Sequence, residues 1–279
     1  MRISVKSKKI SDIITWVTLA LISAAAIYPL VLIVFVSLKT DQEFVFNPIG
    51  LPQAFQFSNF LTVYDRAKIP LAARNSFIVT SVSIILQLIT GSLAAYALTK
   101  MKFRKSAFYS NAFLFPMIFP IQTMVFPLYI MLKNMNLTNT LSGMILVYTA
   151  MGLPLIILIL TGFMKTIPYE VSEAAIVDGA GHFRIYSMII VPLIKPAIAT
   201  SVVLSALSVW NDFFLPLIMV TKSDVMTLPM AVFQFKGLYQ TSWPMVCACI
   251  VFLVVPMMIA YVFLQKHIVS GVVAGAVKG

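Results

Sequence analysis

Apolar residues in this chain do not alternate with polar ones; they run on in long blocks. Six blocks reach the roughly 20 residues that a helix needs to cross the hydrocarbon of a bilayer. They are 13–38, 75–98, 107–131, 141–163, 198–221 and 243–265. A membrane β-barrel would instead show stretches of about ten residues alternating apolar and polar, and none is present. The pattern predicts an all-α integral membrane protein of six transmembrane helices, one domain over residues 1–279. Prolines fall inside the blocks at Pro29, Pro116, Pro120, Pro127, Pro154, Pro216 and Pro256. Each removes a backbone donor and is expected to kink its helix. In transport proteins the backbone groups freed in this way line cavities.

Composition strengthens that picture. Of 279 residues, 60% are hydrophobic and 10% charged, where soluble domains carry about 25% charged residues. The net charge of +11 does not point to nucleic acid, because the basic residues sit in short clusters between apolar blocks. Thirteen fall in alternate connections: Arg2, Lys6, Lys8 and Lys9; Lys100, Lys102, Arg104 and Lys105; Lys165, Arg184 and Lys195; Lys266 and Lys278. The other set holds seven: Lys39, Arg66, Lys68, Arg74, Lys133, Lys222 and Lys236. The richer side is expected to be cytoplasmic, which puts both termini inside. The basic start followed by an apolar block resembles a signal peptide, but block 13–38 is longer than an h-region of about 7–15 residues. It reads as a retained first span. Cys247 and Cys249 lie two apart in the last block and form no metal set or disulfide framework. Trp16 and Trp243 stand near block ends, as interfacial anchors do.

One connection carries more information than the rest. Residues 164–197 hold three of the nine acids, Glu170, Glu173 and Asp178, then Gly179 and Gly181, and end at Pro192 and Pro196. Thr166 is placed to cap a helix with Pro168 in its first turn. Glu170 and Glu173 suit the positive end of that helix, and the two glycines break it. The expected unit is a short helix, a glycine turn and a second, more apolar helix, presented to the cytoplasm as a docking surface.

The run Glu173-Ala174-Ala175, three residues, Gly179, nine residues, Ile189, one residue, Val191-Pro192 resembles the EAA loop of permeases of ATP-binding-cassette importers. Val191 stands where those permeases have leucine. Asp178 before Gly179, with Ala180-Gly181 after it, is similar to the sugar-importer form of the loop. Further likenesses span most of the chain. They include Asn75-Ser76, Ala94-Ala95-Tyr96-Ala97, Pro127-Leu128-Tyr129, Gly162-Phe163, Ile167-Pro168, Trp210-Asn211-Asp212-Phe213 and Gly275-Ala276-Val277-Lys278-Gly279. The pattern resembles the smaller permease subunit of maltose-type transporters in the carbohydrate uptake group.

That resemblance implies a type I importer permease fold in the cytoplasmic membrane of a prokaryote, moving a sugar or oligosaccharide inward. Glu173, Ala174, Ala175, Asp178, Gly179, Ala180, Gly181 and Pro192 belong to the expected coupling loop, seated in a cleft of a separate ATPase subunit. The tail 266–279, with Gly275, Ala276, Val277, Lys278 and Gly279, is expected to reach the ATPase dimer. The implied partners are that ATPase dimer, a second and paralogous permease subunit, an extracytoplasmic sugar-binding protein and membrane lipid. Solute contacts are implied to come mainly from the larger partner permease. No cofactor is expected in this chain; ATP is bound by the partner. The sequence contains no G-x-x-x-x-G-K-[ST] run, so the usual phosphate-binding loop is absent from it and no catalysis by this chain is expected.

Asp212 reads as the one acid deep in a span, and intramembrane acids are functional candidates. With Asn211 it is a candidate for the translocation pathway. It could touch solute hydroxyls, hydrogen-bond neighbouring helices or couple protons. The last option makes a secondary transporter the alternative reading, although such folds usually show internal repeats and the two halves here show none. An intramembrane enzyme would need an acid, a base and a nucleophile at one depth, which the blocks do not offer.

Overall fold

The computed structural model describes residues 5–101, 103–237 and 241–276, and within them the side chains between Asp12 and Phe263. Every extended element among these is helical, with one isolated antiparallel bridge between Lys236 and Thr241. Helices satisfy their backbone groups internally, which is what long apolar blocks need where no water is at hand. In chain order the α-helices are α1 (Val5–Ser37), α2 (Asp41–Phe46), α3 (Ser58–Arg66), α4 (Ile69–Lys100), α5 (Ser106–Leu114), α6 (Ile121–Asn134) and α7 (Leu141–Thr166). They continue with α8 (Glu170–Val177), α9 (His182–Ile185), α10 (Val191–Leu193), α11 (Lys195–Asn211), α12 (Phe214–Met219), α13 (Leu228–Ala231) and α14 (Trp243–Ala276). Stretches within α1, α4, α7 and α14 are each long and apolar enough to cross a membrane.

Two of the predicted spans are broken rather than merely kinked. Block 107–131 runs through α5, a 3₁₀ turn Phe115–Ile118 and α6, and the two halves are bent by 99°. The cause is Pro120, which holds extended dihedrals as the cap of α6 and cannot continue the incoming helix. Block 198–221 ends as helix at Asn211; Asp212 is extended and α12 starts afresh at Phe214. A second bend, of 76°, lies between His182–Leu193 and α11. If each bent pair counts as one span, the apolar spans among the described residues number up to six. The last block also exceeds its predicted end at 265, since α14 stays helical to Ala276.

The chain divides into two compact units, one from the residues up to Ile69 with Ala231–Val255, the other from Pro70–Met230 with the chain from Pro256 onward. In the first, Thr40 Oγ1 accepts from Glu43 N at 3.0 Å and starts α2. The fully buried Lys39 ammonium donates to Asn47 O at 2.6 Å, at the C-terminal end of α2 where a cation is favoured. Asn59 Nδ2 bridges Ser37 O and Lys39 O, and Ser242 Oγ donates to Asp41 Oδ1.

The second unit is built on α4 and α7. Ser76, Thr80, Ser83, Gln87 and Ala95 form a buried stripe down α4, and small or hydrogen-bonding residues are what let membrane helices approach closely. Ser83 Oγ donates to Ile145 O and Gln87 Nε2 to Tyr148 O, at 3.4 and 2.7 Å. Asn75 Nδ2 donates to Asp224 O and Met226 O, and Ser76 Oγ accepts from Leu228 N, so this pair holds the segment after α12.

Asn139, in the α6–α7 turn, fastens the end of α12. Its φ is 57°, and its Oδ1 accepts from Thr221 N, Thr221 Oγ1 and Lys222 N. Asn139→Ala should cost about 1–2 kcal/mol, from lost acceptor bonds and a left-handed backbone that alanine tolerates poorly. In detergent the melting temperature should fall by roughly 2–6 °C, with Asn139→Asp recovering most of it. Equal melting of the alanine variant and wild type would refute this anchoring role.

Candidate functional site

The segment between α7 and α11 is ordered from within. Thr166 does not cap α8, as its position had suggested. Its Oγ1 donates back to Phe163 O and closes α7. Ile167 is extended, and α8 starts after Tyr169 with Glu170 and Glu173 in its first turn. Its other end is a Schellman cap: Ala180 N donates to Ala175 O and Gly179 N to Ile176 O, each at 2.9 Å. That cap requires a left-handed residue, and Gly179 supplies it at φ 80°. Gly181 has an ordinary φ of −70° and opens α9.

One side of this unit is fixed to the long helices. Ala175 and Ala180 pack on a core of Ala95, Tyr96, Leu160, Met164, Ile185 and Ile190. Tyr186 OH shares a hydrogen bond with Ser92 Oγ at 2.7 Å, and Tyr96 OH shares one with His182 Nδ1 at 3.3 Å. The buried Lys100 ammonium donates to Ile167 O at 2.6 Å. This single charge therefore sits at the C-terminal ends of both α4 and α7, the favourable location for a cation.

The opposite side is open to solvent. Glu173, Ala174, Asp178, Gly179 and Gly181 are exposed. Apolar Val177 and Phe183 stand 86% and 77% exposed beside them. A Cβ built at Gly179 or Gly181 would meet nothing within 4 Å. Pro192 is exposed in the first turn of α10, beyond a π-helical turn at Tyr186–Ile190. Of the expected tail, Gly275 and Ala276 form the last turn of α14, while Val277, Lys278 and Gly279 lie outside the described residues.

The second site is a groove of about 480 Å³ between the middle of α4, α6, α7 and the α11–α12 break. Asp212 lines it, but its oxygens are engaged. Oδ2 accepts from Tyr148 OH at 2.8 Å and from Leu215 N at 3.4 Å; Oδ1 accepts from Phe214 N at 3.0 Å. The acid thus caps α12 and ties it to α7, a job that a broken helix creates. Asn211 is exposed in the groove and donates one amide hydrogen to Leu207 O. The break brings Asn211 and Asp212 together with Gln87, Gln122 and Tyr148, which sequence reasoning did not single out. The available signal was Gln87 itself, an amide in the middle of an apolar block.

A profile of binding-protein-dependent transport system inner membrane components matches residues 87–273. The sulfoquinovosyl glycerol transport system permease protein of Agrobacterium fabrum is 32% identical over 91% of this chain and 89% of its own length. The melibiose/raffinose/stachyose import permease protein of Bacillus subtilis is 33% identical over 93% of this chain and 94% of its own. Among solved structures, a chain of a bacterial ABC transporter involved in import of the acidic polysaccharide alginate superposes with a TM-score of 0.79. That match covers 95% of this chain and 99% of the other at 23% identity, a likeness of fold.

Proposed function

This chain belongs to the family of binding-protein-dependent transport system inner membrane components, and on that premise we propose that it moves a sugar or oligosaccharide inward as the permease subunit of an ATP-driven importer. It is a multi-pass, non-catalytic membrane subunit. The observation that carries the reading is the α8–α9 unit, fixed to α4 and α7 on one face and solvent-exposed on the other. Such a unit is a handle for a partner. In this reading the partner is a cytoplasmic ATPase dimer, and the loop side faces the cytoplasm, as the distribution of basic residues favours. A paralogous permease subunit completes the pathway, and an extracytoplasmic binding protein delivers solute. Sugar as cargo rests on what the two relatives above are named for.

The test is purification of tagged chain from its own membranes, reconstitution of the complex with its binding protein, and uptake of labelled raffinose, maltotriose and diacetylchitobiose with ATP inside. Co-purification of an ATP-binding-cassette subunit and ATP-dependent accumulation of one of these sugars is expected. Uptake that runs without ATP and collapses with the proton gradient would defeat the proposal.

A further inference from the structure

The helical stretch His182–Leu193, which joins the loop to α11, has two unlike sides. Ile185 and Ile190, five apart, are fully buried in the core against α4 and α7. Met188 and Leu193, also five apart, stand 66% and 53% exposed. A regular α-helix spreads residues at that spacing around its surface. The π-helical turn at Tyr186–Ile190 bonds residue i to i+5 and draws such pairs toward common sides. Arg184 and Lys195 are exposed on either side of Met188 and Leu193. No aspartate or glutamate occurs between Asp178 and Asp212, so this flank carries basic charge alone.

Depth decides what those side chains meet. Tyr186 OH is bonded to Ser92 Oγ, and His182 Nδ1 to Tyr96 OH. With the apolar block 75–98 centred on the bilayer, Ser92 lies about 8 Å and Tyr96 about 14 Å from the midplane at the α-helical rise, against a hydrocarbon half-thickness of about 15 Å. The stretch therefore starts at the boundary between acyl chains and headgroups. Its bend of 76° from α11 turns it toward the membrane plane, because spans tilt from the normal by only about 20° on average. An apolar flank lying at that level, with cations at both ends and no acid, has the make-up of an interfacial helix on an anionic surface. We infer that the exposed flank of His182–Leu193 is a seat for anionic phospholipid, with Met188 and Leu193 in the acyl boundary and Arg184 and Lys195 on the lipid phosphates. The importer reading above enters only in assigning this seat to the cytoplasmic leaflet. Lipid held there bears directly on the helix that carries the loop.

Fluorescence quenching in the co-purified complex tests the seat, and it needs no transport, so its result stands apart from the importer reading. A bimane is attached at Met188→Cys, with Cys247 and Cys249 replaced by alanine, in phosphatidylcholine vesicles. Nitroxide-bearing lipid should quench it and aqueous iodide should not. Val177→Cys, on the 86% exposed side chain of α8, should show the reverse. Each basic residue near an anionic surface strengthens attraction about 5-fold. Nitroxide-bearing phosphatidylglycerol should therefore reach half-quenching at a membrane fraction about 5-fold or more below that of the phosphatidylcholine analogue. The exposed pair Arg184→Gln and Lys195→Gln should bring the two lipids together. Quenching of the Met188→Cys label by iodide would place the flank in water and overturn the proposal. Quenching by neither agent would mark a contact with another subunit and overturn it equally. Equal quenching by the two lipids in the otherwise unchanged complex would remove the anionic seat.

Discussion

Gly179→Glu is expected to abolish uptake while the protein still inserts and accumulates in the membrane. Two effects of that change separate cleanly. The first is backbone strain: a side chain at φ 80° costs about 1–2 kcal/mol, which weakens the cap of α8 without unfolding helices buried elsewhere. The second is bulk and charge on a bare surface. Beyond its chain neighbours nothing lies within 4 Å of the added Cβ, so the isolated subunit has room for the glutamate side chain and only a partner would resist its bulk and charge. Gly179→Ala carries the strain and little else, and should retain part of the activity. Gly179→Glu should lower uptake about 100-fold or more, the consequence of losing an interface anchor worth a few kcal/mol. Gly181→Ala sharpens the comparison, because at φ −70° alanine is unstrained and any loss reports on fit alone. Uptake at wild-type level in Gly179→Glu would remove the loop from the coupling pathway.

Asp212 gives the second large effect. Asp212→Ala removes three acceptor contacts at once. It leaves Phe214 N, Leu215 N and Tyr148 OH without their partner, at about 1–3 kcal/mol for each group stranded away from water. The α11–α12 junction should loosen and uptake should fall to near background. Asp212→Asn is the informative companion. Its oxygen can still accept from Phe214 N, and its amide can donate to the Tyr148 oxygen, so the variant should keep a substantial share of uptake. That pair of outcomes assigns the residue to helix joining. Complete loss in Asp212→Asn, with the complex assembled, would show that the charge is required and would reopen proton coupling.

The blocks of apolar residues were legible because lipid leaves little choice: a run such as 141–163 has one way to satisfy its backbone, and α7 spans it. The breaks were hidden by the same uniformity. Block 107–131 is apolar straight through Phe119-Pro120, and composition does not distinguish a kink at Pro127 from a near right-angle bend at Pro120. Asp212 was visible as an unusual residue, and a bond to a neighbouring helix was among its expected roles, but the break beside it was not legible, since an acid in an unbroken span and an acid capping a restarted helix look alike in sequence. Within the loop, Gly179 announced its turn, while the side-chain hydroxyl of Thr166 served the preceding helix instead of the following one. Gln87 shows the limit most plainly. Its place against α7 depends on a glycine 65 positions later in another helix, and only packing brings the two together.

The bond from Lys100 to Ile167 has a mechanical meaning. It joins the ends of α4 and α7 to each other and to the start of the loop, and the Tyr96, Ser92 and Tyr186 contacts brace the joint from the side. Force applied at α8 therefore meets a stiff beam of two helices rather than a hinge. Gln87 lies thirteen residues up that beam from Lys100, about 20 Å at the rise of an α-helix. A tilt of ~10° about the joint would carry it ~3.5 Å at that lever arm of ~20 Å, more than the length of a hydrogen bond. The geometry makes the packing around mid-α4 and the position of the loop two readings of one angle.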